Sequence, residues 1–211
     1  MNAFTRFLVW SALILGALGA FLYFAFFDVW RVPADDPQFV VSVEPTLTAG
    51  DIVLVARHGT PGTGNLVRCA DPDEPRRFVV GRWAAGPGDK VVFENEAFLV
   101  NGSHFSSPRG CGRPLVAYTN PASGIQETLA CRQIEFAGLT HEALFSSEHA
   151  EGTRALTVDP GKILLVSDNR HMHLDGRDFG TIDPSSCEHI VFRLWGSSGF
   201  GDAPHRFTII W

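Results

Sequence analysis

An unbroken apolar run near the start of the chain sets the first limit on what it can fold into. Phe7 to Phe27 reads FLVWSALILGALGAFLYFAFF, 21 residues without a charge. A helix needs about 20 such residues to cross the hydrocarbon core of a bilayer. The run therefore predicts a membrane anchor over residues 1–28. A cleaved secretory signal has a shorter apolar region, about 7–15 residues, followed by a small-residue cleavage site. Here the run closes on aromatics and Asp28 instead, which favours an anchor that is retained.

Orientation is not set by charge. Arg6 and the amino terminus precede the run, and Arg31 follows it among Asp28, Asp35 and Asp36. Counted in Lys and Arg, the two sides nearly tie. The cysteines break the tie. Cys69, Cys111, Cys131 and Cys187 all lie beyond the anchor, and four cysteines in a small domain suggest disulfides and an oxidising compartment. That places the domain on the outer face of the cytoplasmic membrane, with the lipid bilayer as its first partner. Four cysteines allow three pairings, and sequence does not choose among them. Cys111 with Cys131 is the favoured pair, since both fall in one loop-rich stretch. No Cys-x-x-Cys pair or Cys/His cluster has metal-ligand spacing, so no metal or cofactor is expected. The formal net charge of −6 argues against nucleic acid as a partner.

The remainder reads as β. Short runs rich in β-branched and aromatic residues recur at Asp51-Ile-Val-Leu-Val, Phe78-Val-Val, Lys90-Val-Val-Phe, Ala97-Phe-Leu-Val, Lys162-Ile-Leu-Leu-Val and His189-Ile-Val-Phe-Arg-Leu-Trp. Turn residues punctuate them, and Asn101-Gly102 after Phe98-Leu-Val predicts a tight hairpin. Only Gly138 to His149 has a helical spacing, and it is weak. The stretch 103–157 is polar, loop-rich and holds two cysteines, so it reads as an insertion between strands of a mainly β, antiparallel domain.

Three boxes carry a resemblance. Ser42-Val43-Glu44-Pro45-Thr46-Leu47 is followed by Gly50-Asp51 and a strand. Gly81-Arg82-Trp83-Ala84-Ala85-Gly86-Pro87-Gly88-Asp89-Lys90-Val91 comes next. Ser167-Asp168-Asn169-Arg170-His171-Met172-His173-Leu174-Asp175-Gly176-Arg177-Asp178-Phe179-Gly180 is the last. In order, spacing and position after an anchor, these resemble the boxes of bacterial type I signal peptidases. The resemblance implies a signal-peptidase-like catalytic domain over 29–102 and 158–211, with 103–157 as an inserted lobe. It also implies serine peptidase chemistry on exported precursor proteins. In that chemistry a serine hydroxyl attacks the scissile carbonyl, and a buried neutral lysine takes its proton. Ser42 falls at the nucleophile position. Asp168, Asn169, Arg170, Asp175 and Arg177 match residues that hold the active-site loop.

The lysine is where the pattern breaks. Counting back from Pro87-Gly88-Asp89, the base position is Gly81, which has no side chain. A gapped alignment brings Arg76 or Arg77 there, and arginine stays protonated. The chain has only two lysines, Lys90 and Lys162, and both read as solvated. His173 stands where the family has a serine that bonds the lysine, so it is the candidate substitute base, reaching into the space left by Gly81. Histidine ordinarily titrates near neutrality, as a general base requires. Asp175 or Asp168 is expected to orient its ring. His171, of the same side-chain parity, is a weaker candidate. The extra oxyanion hydroxyl that many members carry two residues before the nucleophile is absent, because Val40 stands there. The apolar run Phe39–Val41 reads as a strand that is buried or faces bilayer or substrate.

Two functions follow. One is a membrane-bound endopeptidase that removes signal peptides with a non-standard base. The other is an inactive relative that binds or assembles exported proteins. Loss of the lysine favours the second, and retention of Ser42 with the third box favours the first.

Overall fold

The computed structural model describes residues 2–107, 109–146 and 152–211. The apolar run forms α1 (Ala3–Phe26), capped by Asn2, whose side chain accepts from the Thr5 amide. Phe4, Trp10, Leu15 and Phe24 are all exposed around it. The helix is long and apolar enough to cross a membrane, and none of its best apolar window is buried among the described residues. It stops at Phe26 because Phe27 to Arg31 is drawn into β1 (Phe27–Arg31), where Asp28 meets the buried Arg68 guanidinium at 2.7 Å.

A short helix, α2 (Pro37–Ser42), follows, and then β2 (Ile52–Ala56), β3 (Leu66–Ala70) and β4 (Phe78–Ala85). Near the other end of the chain lie β12 (Leu164–Val166), β13 (Cys187–Trp195) and β14 (Thr208–Ile209). Together these strands make one antiparallel sheet in the order β1-β2-β13-β3-β4-β12, with β14 on β13. β13 is the spine. Its first residues pair with β3 and its later ones with β14, while β2 runs along its other edge.

The chain between β4 and β12 forms two further sheets. β5 (Lys90–Glu94), β6 (Ala97–Val100), β7 (Ser103–His104) and β11 (Thr153–Thr157) form one, in the order β11-β5-β6-β7. Asn101 and Gly102 both take positive φ between β6 and β7, the conformation a two-residue hairpin needs. β8 (Gly110–Thr119), β9 (Gln126–Phe136) and β10 (Leu139–Phe145) form the other.

Two local expectations fail here. Gly138 does not open a helix. Ala137 and Gly138 both take positive φ and join β9 to β10 as a two-residue turn, with Phe136 opposite Leu139. The residues before 147 in that stretch are strand, and 147–149 lie outside the described residues. Likewise Phe39–Val41 is helical. Asp36 accepts from the Phe39 amide at 3.1 Å and Pro37 fills the first helical position, a start signal that overrides the β-branched pair Val40-Val41.

Disulfides tie Cys69 to Cys187 and Cys111 to Cys131. The first joins register partners of β3 and β13. The second joins β8 to β9, the pairing favoured from sequence.

Candidate active site

α2 is gripped from two sides. Phe39 enters a core with Val43, Leu47, Val53, Val80 and Ile190 from the large sheet. Val41 packs instead with Tyr118, Leu129, Cys131 and Leu144 of the β8–β10 sheet. Ser42 closes the helix and is only 1% exposed. Its hydroxyl donates to the Phe39 carbonyl at 2.7 Å, the back-bond a helical serine makes to its own preceding turn.

The third box wraps this helix end. Asn169 is the clamp. Its side-chain amide donates to the Val41 carbonyl at 3.0 Å and its backbone amide to the Ser42 carbonyl at 3.2 Å. Its side-chain Oδ1 accepts from the amides of His171 and Met172, which folds the box into a turn. Next to it, Asp168 receives Arg82 Nε and Nη2 at 3.0–3.2 Å and the Thr46 hydroxyl at 2.5 Å. Burial alone would raise the Asp168 carboxyl. The Arg82 guanidinium, helped by Arg170, holds it below its ordinary value. Arg82 therefore fixes the turn after Ser42 to the third box, a role not read from the sequence. It alternates with Gly81 along β4, so its side chain leaves the opposite face of the strand.

Arg170 donates its amide to the Leu144 carbonyl at 2.8 Å and lays its guanidinium over Phe98. Burial pushes its pKa down to about 10 against the pull of Asp168. Asp175 accepts from the Ser167 amide and from the backbone and guanidinium of Arg177. Burial opposes its ionisation, and these bonds bring its pKa below the ordinary carboxylate value. Arg177 goes on to the Arg170 carbonyl at 2.9 Å, closing the loop on itself.

His173 lies beside the same helix. Its carbonyl accepts from Gln38 Nε2 at 3.0 Å, and Gln38 stands four residues before Ser42, on the same face of α2. Its ring, with the side chain 30% exposed, is bonded through Nδ1 to Asp178 at 2.8 Å. Asp178, rather than Asp175 or Asp168, is thus the carboxylate that orients it. The signal was a turn in which Asp178 also accepts from the Asp175 amide. His171 is committed to Glu96 at 2.6 Å. His173, Asp175 and Asp178 bring ligand-type atoms within 4.8 Å of one another, but these hydrogen bonds already use them.

The position of the missing lysine is not vacant. A Cβ built on Gly81 meets the Leu165 Cβ and the Val166 carbonyl oxygen, both at 3.2 Å. β12 crowds the first atom of any side chain at 81, and the His173 ring is bonded to Asp178 instead of filling that position. The two lysines stand apart from this cluster. Lys90 is exposed at the start of β5, and Lys162 faces Asp183 at 3.6 Å. Glu44, two residues past Ser42, is the one carboxyl here that is strongly raised. Burial pushes its pKa up to about 7.

Comparison with known proteins agrees with the three boxes. The family model described as "Signal peptidase, peptidase S26" matches residues 5–195. The chain is similar to the signal peptidase I of Streptococcus pneumoniae serotype 4, with 26% identity over 175 residues, covering 76% of this chain and 81% of that protein. It is also similar to the signal peptidase IB of Staphylococcus aureus, with 28% identity over 174 residues, covering 79% and 78%.

Proposed function

The chain belongs to the signal peptidase S26 family, and from that premise we propose a membrane-anchored serine endopeptidase that removes signal peptides from exported precursors. Ser42 is its nucleophile and His173 its general base, oriented by Asp178. The domain stands on the outer face of the cytoplasmic membrane, held by α1 as a single span. Within it, 103–157 acts as an inserted lobe against the catalytic domain of 29–102 and 158–211.

The observation that carries the assignment is the hydrogen bond from Gln38 to the His173 carbonyl. It supports placing an imidazole–carboxylate pair alongside the helix face that bears Ser42. In the reaction, the Ser42 hydroxyl turns from the Phe39 carbonyl, gives its proton to His173 Nε2, and bonds the scissile carbonyl carbon. The imidazolium returns the proton to the leaving amine as the peptide C–N bond breaks. Water, deprotonated by the same ring, then hydrolyses the acyl ester and frees Ser42.

Cleavage of a signal-peptide-bearing precursor by the full-length protein in detergent tests this, with Ser42→Ala, His173→Ala and Asp178→Asn beside wild type. Ser42→Ala and His173→Ala are expected to lose at least about 100-fold in kcat/KM, the scale of general-base catalysis. Wild-type rates from His173→Ala refute the base. A second reading is favoured by a specific observation: the Ser42 hydroxyl is closed onto Phe39 and β12 crowds the Cβ of any side chain at position 81. If wild type cuts no precursor while binding it, the protein is a binding or assembly factor for exported proteins.

A further inference from the structure

Six buried side-chain nitrogens and oxygens have no hydrogen-bond partner among the described residues, and three of the six belong to residues that line one cavity. They are His141 Nδ1, Arg193 Nε and Thr208 Oγ1. The cavity, about 360 Å³, lies between β10 and residues 208–211, with Arg82 also in its wall. The chemistry assigned to Ser42 and His173 does not use it.

All three atoms can donate. Burial first, then the Arg82 and Arg170 charges, lower the His141 pKa to about 3 despite Asp168, so the ring is neutral. Its Nε2 faces Arg170 Nη2 at 3.4 Å, and a guanidinium can only donate. The proton is therefore on Nδ1. Arg193 gives Nη2 to the Thr46 carbonyl. Its Nε lies 3.2 Å from Asp51 Oδ2 without the alignment of a hydrogen bond. Arg82 commits Nε and Nη2 to Asp168 and leaves Nη1 only a long contact to the Gly64 carbonyl, 3.4 Å. The Thr208 hydroxyl rotates to donate or accept. The His141 and Arg193 side chains are 3% and 9% exposed, and donors so enclosed are costly to leave unmet.

The charged side chains in the wall are the guanidiniums of Arg82 and Arg193 and the carboxylate of Glu142. The acids that pair with the two arginines, Asp168 and Asp51, are not part of the wall. Glu142 is half-buried and follows His141 along β10, so its side chain leaves the opposite face of the strand. It also lines the neighbouring larger cavity. On the His141 face, two guanidiniums and a neutral ring donor stand without an acid in the wall. Arginine forks match the oxygens of a phosphate, and hydrogen bonds to such an ion are stronger than those to water. Water is the competing occupant of a polar cavity this size.

We propose that this cavity is an oxyanion site that takes a phosphate group, held by Arg82, Arg193, His141 Nδ1 and the Thr208 hydroxyl. The group has two sources of one chemistry, inorganic phosphate in solution and the phosphodiester of an anionic phospholipid. Ile209 and Trp211 are more than half exposed and line the same cavity, which gives a lipid-borne phosphate an apolar rim. The site is independent of the peptidase reading. Its occupant ties β10, β13 and β14 to Arg82, which in turn holds Thr46 and Asp168.

The test melts the full-length protein in dodecyl maltoside micelles with sodium phosphate up to about 20 mM, the ionic strength being held constant with sodium chloride. Tm is expected to rise by about 4 °C and to saturate with a Kd of about 1 mM. Thr208→Val, which keeps the shape and removes the hydroxyl, weakens that Kd about fivefold, and His141→Leu weakens it about tenfold. Glu142→Gln, which removes the opposing charge, tightens it about threefold. The lipid arm repeats the melts in nanodiscs of phosphatidylcholine with or without about 30% phosphatidylglycerol. A rise with phosphatidylglycerol that Thr208→Val and His141→Leu reduce, without a response to inorganic phosphate, assigns the site to a lipid headgroup. A saturable response to inorganic phosphate alone assigns it to a soluble ion. No saturable rise with either probe leaves a water-filled cavity and overturns the inference. A rise that both variants keep is general salting-out and overturns it too, as does weaker phosphate binding by Glu142→Gln. Precursor cleavage that persists without any phosphate response removes this inference and leaves the peptidase reading standing.

Discussion

Replacing Arg82 by methionine removes the cation from a fully enclosed pair. Arg82 is 1% exposed in its side chain and Asp168 is 0% exposed, and three contacts of 3.0–3.2 Å join them. Breaking one partner of a buried pair leaves an uncompensated charge and costs about 3–5 kcal/mol. For a domain of this size each kcal/mol moves the midpoint by about 2–4 °C, so Arg82→Met is expected to lower Tm by about 6–20 °C at pH 7. The sign of the pH dependence follows from Asp168. In the wild type its carboxyl is held low, so its contribution is present above the ordinary value of 3.8 and lost as pH falls through the depressed value. In the variant, burial acts with less opposition and the carboxyl rises. The variant then loses stability as pH climbs from 3.8 through that raised value. The deficit is therefore greatest near neutrality and shrinks toward pH 4. Near-UV circular dichroism of the full-length protein in detergent, melted at pH 7 and pH 4, reads it. Arg82→Met/Asp168→Leu, which removes both charges, is expected to recover at least about half of the loss, since apolar replacement of a whole pair is far cheaper than breaking it. A deficit under about 1 kcal/mol at pH 7, or one equal at both pH values, refutes this account of the pair.

Other perturbations reach different parts of the site. Glu44→Gln is expected to stabilise at pH 8 and to be neutral at pH 4. The raised carboxyl, 4.5 to about 7, makes the wild type lose stability as pH rises through that window. One pKa unit is about 1.36 kcal/mol, and partial solvent contact reduces the gain to about 1–2 kcal/mol, read in urea melts at the two pH values. Gly81→Lys is expected to destabilise by about 1–3 kcal/mol through overpacking against β12. It is not expected to raise precursor cleavage, and a gain in kcat/KM overturns the view that the lysine position is closed. Cys69→Ala/Cys187→Ala, which opens a link spanning 118 residues, is expected to lower the urea midpoint more than Cys111→Ala/Cys131→Ala, which spans 20. The reverse order counts against a loop-entropy origin.

Much of the scaffold was legible because its signals are local. The β-branched runs at Ile52, Phe78, Lys90, Ala97, Leu164 and His189 are all strand, and Asn101-Gly102 is the hairpin its composition demands. The misreadings share a cause. Gly138 carries a helical spacing after it, but a turn requirement at Ala137-Gly138 decides the fold. Val40-Val41 suggests a strand, but Asp36 and Pro37 just upstream start a helix. The ordered boxes named Ser42 and Asn169, which hydrogen bonds join, and Asp168, Asp175 and Arg177 of the same loop. The closing of Gly81 by Leu165 and Val166 was not, since those residues lie more than 80 positions away in the chain. Asp178 as the partner of His173 and the raised carboxyl of Glu44 also depend on burial and turn geometry that no spacing encodes.

The shortness of α2 has a consequence for timing. Six residues are well below the length of about 12–15 at which a helix persists by itself in water. The segment is helical only while Phe39 and Val41 are gripped by two separate sheets and Asn169 holds its last carbonyls. Ser42 is thus in place only where strands from both halves of the chain have closed around it. On the proposed reading, a partly folded chain therefore carries no organised nucleophile, because the groups that hold Ser42 come from both sheets and from the third box.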